Sequence, residues 1–128
     1  MATLAELGDP FKITLDKSSY GCTVQATVVV GDKNLNILKE KQSSQRLINE
    51  IWSVAHELGF QKYFLNETKY SIIDDHVPFL EAGIPAIDII DIEYRYWHTS
   101  YDTADHVSPV SLSIVGSTLQ VWIGRQRQ

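Results

Sequence analysis

The run Ile84-Pro85-Ala86-Ile87-Asp88-Ile89-Ile90 constrains this chain more than any other. It is apolar and broken only by Asp88, the pattern of a strand buried on both faces. Such a strand needs a layer of structure on each side of its sheet. Two amphipathic segments can supply those layers. Leu47, Ile48, Ile51, Val54, Ala55 and Leu58 recur at three- and four-residue spacing behind a cap at Ser43 or Ser44. Gly59 is placed to stop that helix. The last helix has Ser108 as its cap and Pro109 as its first residue. Val107 and Leu112 sit at the two positions of a hydrophobic staple. Leu112, Val115, Leu119 and Trp122 form its apolar stripe. Strands alternating with helices predict an α/β fold, a layered mixed β-sheet with flanking helices.

The other elements follow in order. Residues 1–10 read as a loose or short helical lead-in ended by Gly8-Asp9-Pro10. Phe11–Leu15 alternates apolar and polar, as a half-buried strand does. After the turn residues of 16–21, Thr23–Val30 is β-branched and reads as a more central strand. The two pair as a hairpin, which makes the sheet mixed. Gly31–Asn34 is a turn, and Leu35–Leu38 extends a strand briefly before a charged loop. Phe60–Phe64 and Lys69–Ile73 flank an Asn-Glu-Thr loop, with Tyr70–Ile73 a short strand leading into Asp74. Pro78–Ala82 is a short helix ended by Gly83, with Asp74–His76 just before it. No repeat or linker interrupts the chain, so residues 1–128 read as one domain.

Composition excludes several function classes. The net charge is −5 and the basic residues are scattered, which argues against nucleic acid as a partner. Lys39–Lys41 and the Arg125–Arg127 tail read as solvated ends. One cysteine, Cys22, permits no intrachain disulfide. No stretch reaches membrane-spanning length and the first residues lack the pattern of a signal peptide, so the chain reads as soluble, with no membrane partner.

The chemically capable side chains gather between Asp74 and Thr103. Asp74-Asp75-His76 stands at a helix start, where acids are favoured. Asp75 is the better candidate for capping and Asp74 for facing a cleft. Asp88 is costly inside an apolar strand unless paired; it either faces a site or is hydrogen-bonded to a loop. His98 has Asp102 nearby, so it suits a zinc ligand oriented by an acid or a general base. Spacing alone favours a structural or surface histidine. His56 reads as a partly exposed histidine with no second ligand at i±4. Functional groups of such sheets collect beyond the carboxyl ends of strands. That expectation joins Asp74 and the 91–98 loop on one sheet edge.

The runs DDHVPFLEAGIPAIDIID and YWHTSYDTADHVSPVSL closely resemble the C-terminal half of the zinc-dependent aminopeptidase and glutaminyl cyclase family. The likeness is strongest to its bacterial glutaminyl-cyclase-like members. It covers roughly residues 28–123, with 1–27 a divergent strand or hairpin segment, and it implies a partial zinc-aminopeptidase-like fold. By resemblance, His98 matches a zinc ligand and Asp74 the active-site acid of the cyclase branch. Trp97 and Asp88 fall at pocket positions, and Asp102 and Thr103 at positions that support the ligand loop. The family's other zinc ligands and its catalytic glutamate belong to an N-terminal half, and residues 1–27 lack the expected His, Asp and Glu-Glu motifs. Val28 stands where the resemblance expects a further acid. A tight zinc site takes about three or four protein ligands, and only His98 is matched.

These readings set three expectations. The first is a truncated or rebuilt family domain, inactive alone and binding no zinc tightly, whose open sheet edge favours a homo-oligomer. The second is an active zinc-dependent cyclase or aminopeptidase completed by a partner chain and acting on a peptide N-terminus. The third is a non-catalytic peptide-binding module using Tyr94, Tyr96, Trp97 and Tyr101.

Overall fold

A computed structural model describes residues 2–6, 11–15, 24–30, 33–93, 100 and 108–126. Its elements are β1 (Ala2–Glu6), β2 (Phe11–Leu15), β3 (Val24–Val29), β4 (Ile37–Glu40), α1 (Gln45–Glu57), β5 (Phe64–Tyr70), α2 (His76–Glu81), β6 (Ala86–Ile90) and α3 (Pro109–Arg125). Strand order is β1-β2-β3-β6 in one sheet and β4-β5 in a second. β1, β2 and β3 are antiparallel, while β3 pairs with β6 in parallel, with Ala26 opposite Ile87 and Thr27 opposite Asp88. The fold is the mixed α/β arrangement that the sequence predicts, and the hairpin of Phe11–Leu15 with the valine-rich strand is present.

The two sheets meet at a seam between β6 and β4. No backbone ladder joins them there. The Ser44 N–H donates to the Ala86 carbonyl at 2.7 Å. The Asp88 N–H donates to Ser43 Oγ at 2.9 Å, and the Asn36 N–H reaches Asp91 Oδ2 at 3.4 Å. Two of these three links run through side chains.

β6 is buried at all five positions, as its composition requires. On one face, Ile87 and Ile89 join Val24, Ala26 and Val28 against the inner residues of α1 and α3. α1 contributes Leu47, Ile48, Ile51, Trp52, Val54 and Ala55, behind the N-cap Ser44. Gly59 follows with φ 88°, a left-handed conformation that suits glycine after a helix. The indole of Trp52 packs edge-on against Phe64 at 5.1 Å and donates to the Leu65 carbonyl at 2.9 Å. Half-buried His56 places Nε2 3.1 Å from the Phe64 carbonyl, which gives it a structural partner.

Several expectations need correction. Residues 2–6 form a strand rather than a loose or helical lead-in, because β2 offers a free edge on which they pair. The Asn66-Glu67-Thr68 segment lies inside β5, not in a loop, and 71–73 are not strand. β5 has β4 as its ladder partner, and Asn66, Glu67, Thr68 and Lys69 are exposed at successive positions, so a polar strand is tolerated there. α2 begins at His76, two residues earlier than expected, with Asp75 at its cap position. Leu112 is 39% exposed, since the buried stripe of α3 runs through Ser111, Ile114, Val115, Thr118, Leu119 and Trp122. Val107, its expected staple partner, lies outside the described residues.

Candidate functional site

The opposite face of β6 carries Asp88, and α2 closes over it. α2 is short, and Gly83 with φ 80° ends it and returns the chain to β6. This brings His76 down onto the sheet, where it is fully buried. β4 delivers Glu40 to the same place from the other sheet, only 2% exposed. The expectation that Lys39–Lys41 is a solvated end therefore fails at its middle residue. Strand alternation turns Glu40 inward, while Lys39 is half-buried and Lys41 exposed.

The Glu40 carboxylate is fully engaged. Oε1 accepts from His76 Nε2 at 2.8 Å and from the Ser43 hydroxyl at 2.8 Å. Oε2 accepts from the backbone N–H groups of Gln42 at 2.8 Å and Ile72 at 3.0 Å. Burial, the largest single influence, pushes its carboxyl up. The hydrogen bonds from His76, Gln42, Ile72 and Ser43 together outweigh it and hold the group down at about 2. An ionised carboxylate only accepts, so His76 carries a proton on Nε2. That leaves Nδ1 facing Asp88, whose Oδ2 lies 3.7 Å away, beyond hydrogen-bond reach.

Asp88 behaves oppositely. It is fully buried, and among the described residues neither carboxyl oxygen has a hydrogen-bond partner of good geometry. Burial pushes it up, and the acids at Asp74, Glu40 and Asp75 add to the effect, so it holds its proton up to about 8. One cluster thus contains a carboxyl that stays charged in mild acid and another that stays neutral near pH 7. Such divergent environments allow two acids to take different roles. Asp74 stands beside them in the segment before α2, where its Oδ1 accepts the Asp75 N–H at 2.8 Å. Asp75 occupies the cap position, but its side chain makes no capping bond.

The structure thus brings together two of the site residues expected from sequence, Asp74 and Asp88. Trp97, His98, Asp102 and Thr103 lie outside the described residues, as do Tyr94, Tyr96 and Tyr101. Sequence reasoning missed Glu40, Ser43 and the burial of His76. Nothing in the sequence singled out Glu40, which fell in the charged loop expected after Leu38, and the only signal for His76 was its neighbours Asp74 and Asp75.

Comparison with known proteins gives the family and the fold. Residues 25–123 match the model of peptidase family M28. The chain belongs to peptidase family M28. Among relatives, the glutaminyl-peptide cyclotransferase of Boiga irregularis is 31% identical over 77 residues, 53% of this chain and 21% of that protein. A glutaminyl cyclase from an Acidobacteriales bacterium superposes with a TM-score of 0.73 at 33% identity, covering 80% of this chain and 39% of that one. A Zn-dependent exopeptidase from Parabacteroides distasonis gives 0.67 at 32%, covering 77% and 38%. The M28 chain therefore spans about a fifth of this curated relative and under two fifths of these solved structures.

The Parabacteroides distasonis exopeptidase is Zn-dependent, which raises the question whether the donor set here fits that ion. Among the described residues, no group of three His, Cys, Asp or Glu side chains is placed to hold a metal. Both oxygens of Glu40 are already taken by hydrogen bonds from His76, Ser43, Gln42 and Ile72. A zinc ligand must be deprotonated and have a free lone pair. Val28, where the resemblance expects an acid, is buried in the apolar core beside Ile89. The described residues do not fit a zinc ion. No helix among them is long and apolar enough to cross a membrane.

Proposed function

We propose that these 128 residues carry the Asp74 side of an M28 site of the glutaminyl cyclase type and have no activity by themselves. The observation that supports this reading most is the state of the buried acids. Glu40 and Asp88 have the residue types of metal ligands, yet Glu40 is saturated with hydrogen bonds and, among the described residues, no third His, Cys, Asp or Glu joins them in a group placed to hold a metal. Asp74 is the acid left to meet a substrate amide, and Asp88 the neutral carboxyl behind it. The test is calorimetric titration of the chain with zinc, followed by assay on glutaminyl and leucyl amides. Neither saturable zinc binding nor turnover is expected. Turnover that a chelator abolishes overturns the reading.

A second reading has a partner chain complete the site. It is favoured by the match to under two fifths of a solved glutaminyl cyclase, which leaves most of that fold to be supplied from elsewhere. In it His98 holds the metal, Trp97 lines the pocket, Asp102 and Thr103 support the ligand loop, and Asp74 positions a peptide N-terminus. Turnover that appears with a partner and survives His98→Ala removes the assignment of His98. Self-association is proposed as well. β1 and β5 each end a strand order, and such edges can pair with another copy. Sedimentation of a monomer at tens of micromolar counts against it.

A further inference from the structure

Asp74 owes its position to a residue far from it in sequence. It lies in the segment between β5 and α2, outside any ladder. Two residues before it, the Ile72 N–H donates to Glu40 Oε2 at 3.0 Å. Two residues after it, His76 Nε2 donates to Glu40 Oε1 at 2.8 Å. One carboxylate therefore grips the segment on both sides of Asp74.

That carboxylate is itself fixed. The Gln42 N–H and the Ser43 hydroxyl, each at 2.8 Å, tie it to the turn that follows β4. Ser43 Oγ in turn accepts the Asp88 N–H at 2.9 Å, which connects the same cluster to β6. A bare glutamate at 2% exposure is expensive, and hydrogen bonds of this number are what keep it ionised. Smaller or neutral side chains make the four donors unpartnered or the grip incomplete.

We propose that Glu40 is the positioning residue of the Asp74–Asp88 acid pair, holding Asp74 in place from both sides and setting a fixed negative charge against Asp88. The idea rests on the reading that Asp74 and Asp88 belong to the site. Asp88 is faced by Asp74 and Asp75 from the segment before α2, by His76 from α2, and by Glu40 from β4. Of these, Glu40 is the one held in four directions, so its charge is the one least able to move away.

Carboxyl carbon NMR of the full chain, wild type beside Glu40→Gln, tests this. Glutamine keeps the length and one accepting oxygen but removes the charge. The Asp88 titration midpoint is expected to fall by roughly one pH unit, as loss of a neighbouring like charge requires. The Asp74 and Asp75 amide signals are expected to move with it. A folded Glu40→Gln chain with an unmoved Asp88 midpoint overturns the proposal. If that variant does not fold, the wild-type chain decides. The Ile72 and Gln42 amide protons are expected to hold steady through pH 5 to 8 and to shift together in acid, with the Glu40 carboxyl. Amide shifts that follow Asp88 instead, near pH 8, overturn it. Both readouts are equilibrium titrations, so a chain with no catalytic activity leaves them intact. Conversely, an active chain in which Glu40→Gln changes neither signal sinks this proposal alone.

Discussion

Val24, Ala26 and Val28 of β3 share one face of the sheet with Ile87 and Ile89 of β6, while Gln25, Thr27 and Asp88 share the other. Both faces are buried, and the two strands supply them by simple alternation. On the first face, α1 and α3 bring more hydrocarbon, down to Trp122. On the second, α2 and β4 bring His76 and Glu40. An apolar face tolerates small changes of shape because its contacts are non-directional. The polar face depends on each donor finding its acceptor, and it leaves Gln25 Oε1, His76 Nδ1 and both Asp88 oxygens unpartnered among the described residues. The comparison separates where the fold gets its stability from where it holds groups in costly states. Costly states of this kind collect at functional sites.

Large truncations on the two faces should cost similar amounts for different reasons. Trp122→Ala removes a fully buried indole and its hydrogen bond to Glu50, at about 3–5 kcal/mol. His76→Ala leaves a buried carboxylate short of its partner, also at about 3–5 kcal/mol. Denaturant unfolding at several pH values tells them apart. The Trp122→Ala loss should be constant, whereas the His76→Ala loss should shrink in strong acid, where Glu40 is no longer charged. Equal pH behaviour for both would break the distinction between the faces.

Asp88 and Glu40 should bend the stability profile in opposite senses. Asp88 has a folded pKa of about 8, above its ordinary 3.8, so its contribution is fully present below about pH 4 and is lost as pH rises through 8. Glu40 has a folded pKa of about 2, below its ordinary 4.5, so its contribution is present above about 4.5 and is lost as pH falls through 2. Stability should therefore peak in mild acid, with a slope of up to ~1.4 kcal/mol per pH unit on the Asp88 side. Asp88→Asn should flatten the branch between pH 4 and 8 and leave the acid branch alone. Thermal unfolding across that range checks both halves.

Smaller effects sharpen the picture. Ser43→Ala removes a donor to Glu40 and the acceptor of the Asp88 N–H, at about 1–3 kcal/mol. Ile73→Ser, at a side chain 89% exposed beside Asp74, should change stability by less than about 0.5 kcal/mol. A large loss there would mean that this exposed residue is covered by something, such as a second copy of the chain.

The fold was legible where side chains repeat with a period. The α1 stripe, the Ser108-Pro109 start of α3 and the apolar run of β6 each announce their structure locally. β5 was hidden because a strand solvated on both faces over residues 66–69 carries no apolar alternation, and its Asn66-Glu67-Thr68 looks like loop composition. β1 was hidden because its strand character comes from pairing with β2. For the site, Asp74 and Asp88 were visible as acids in an unusual context. Glu40 was not, because nothing near Lys39 and Lys41 says that one of three charged residues turns inward. Its burial is decided by Ile72 and His76, more than thirty residues away in sequence.

The seam between the two sheets has a consequence for how freely this chain can change over generations. A backbone ladder is indifferent to sequence, because every residue but proline brings the same donor and acceptor. Where β6 meets β4, part of that joining has passed to the hydroxyl of Ser43 and the carboxylate of Asp91. Those two positions carry, in their side chains, a task that elsewhere in the sheet is inherited for nothing. Drift that would be silent in the middle of β3 is, at this join, a change in how the molecule is stitched.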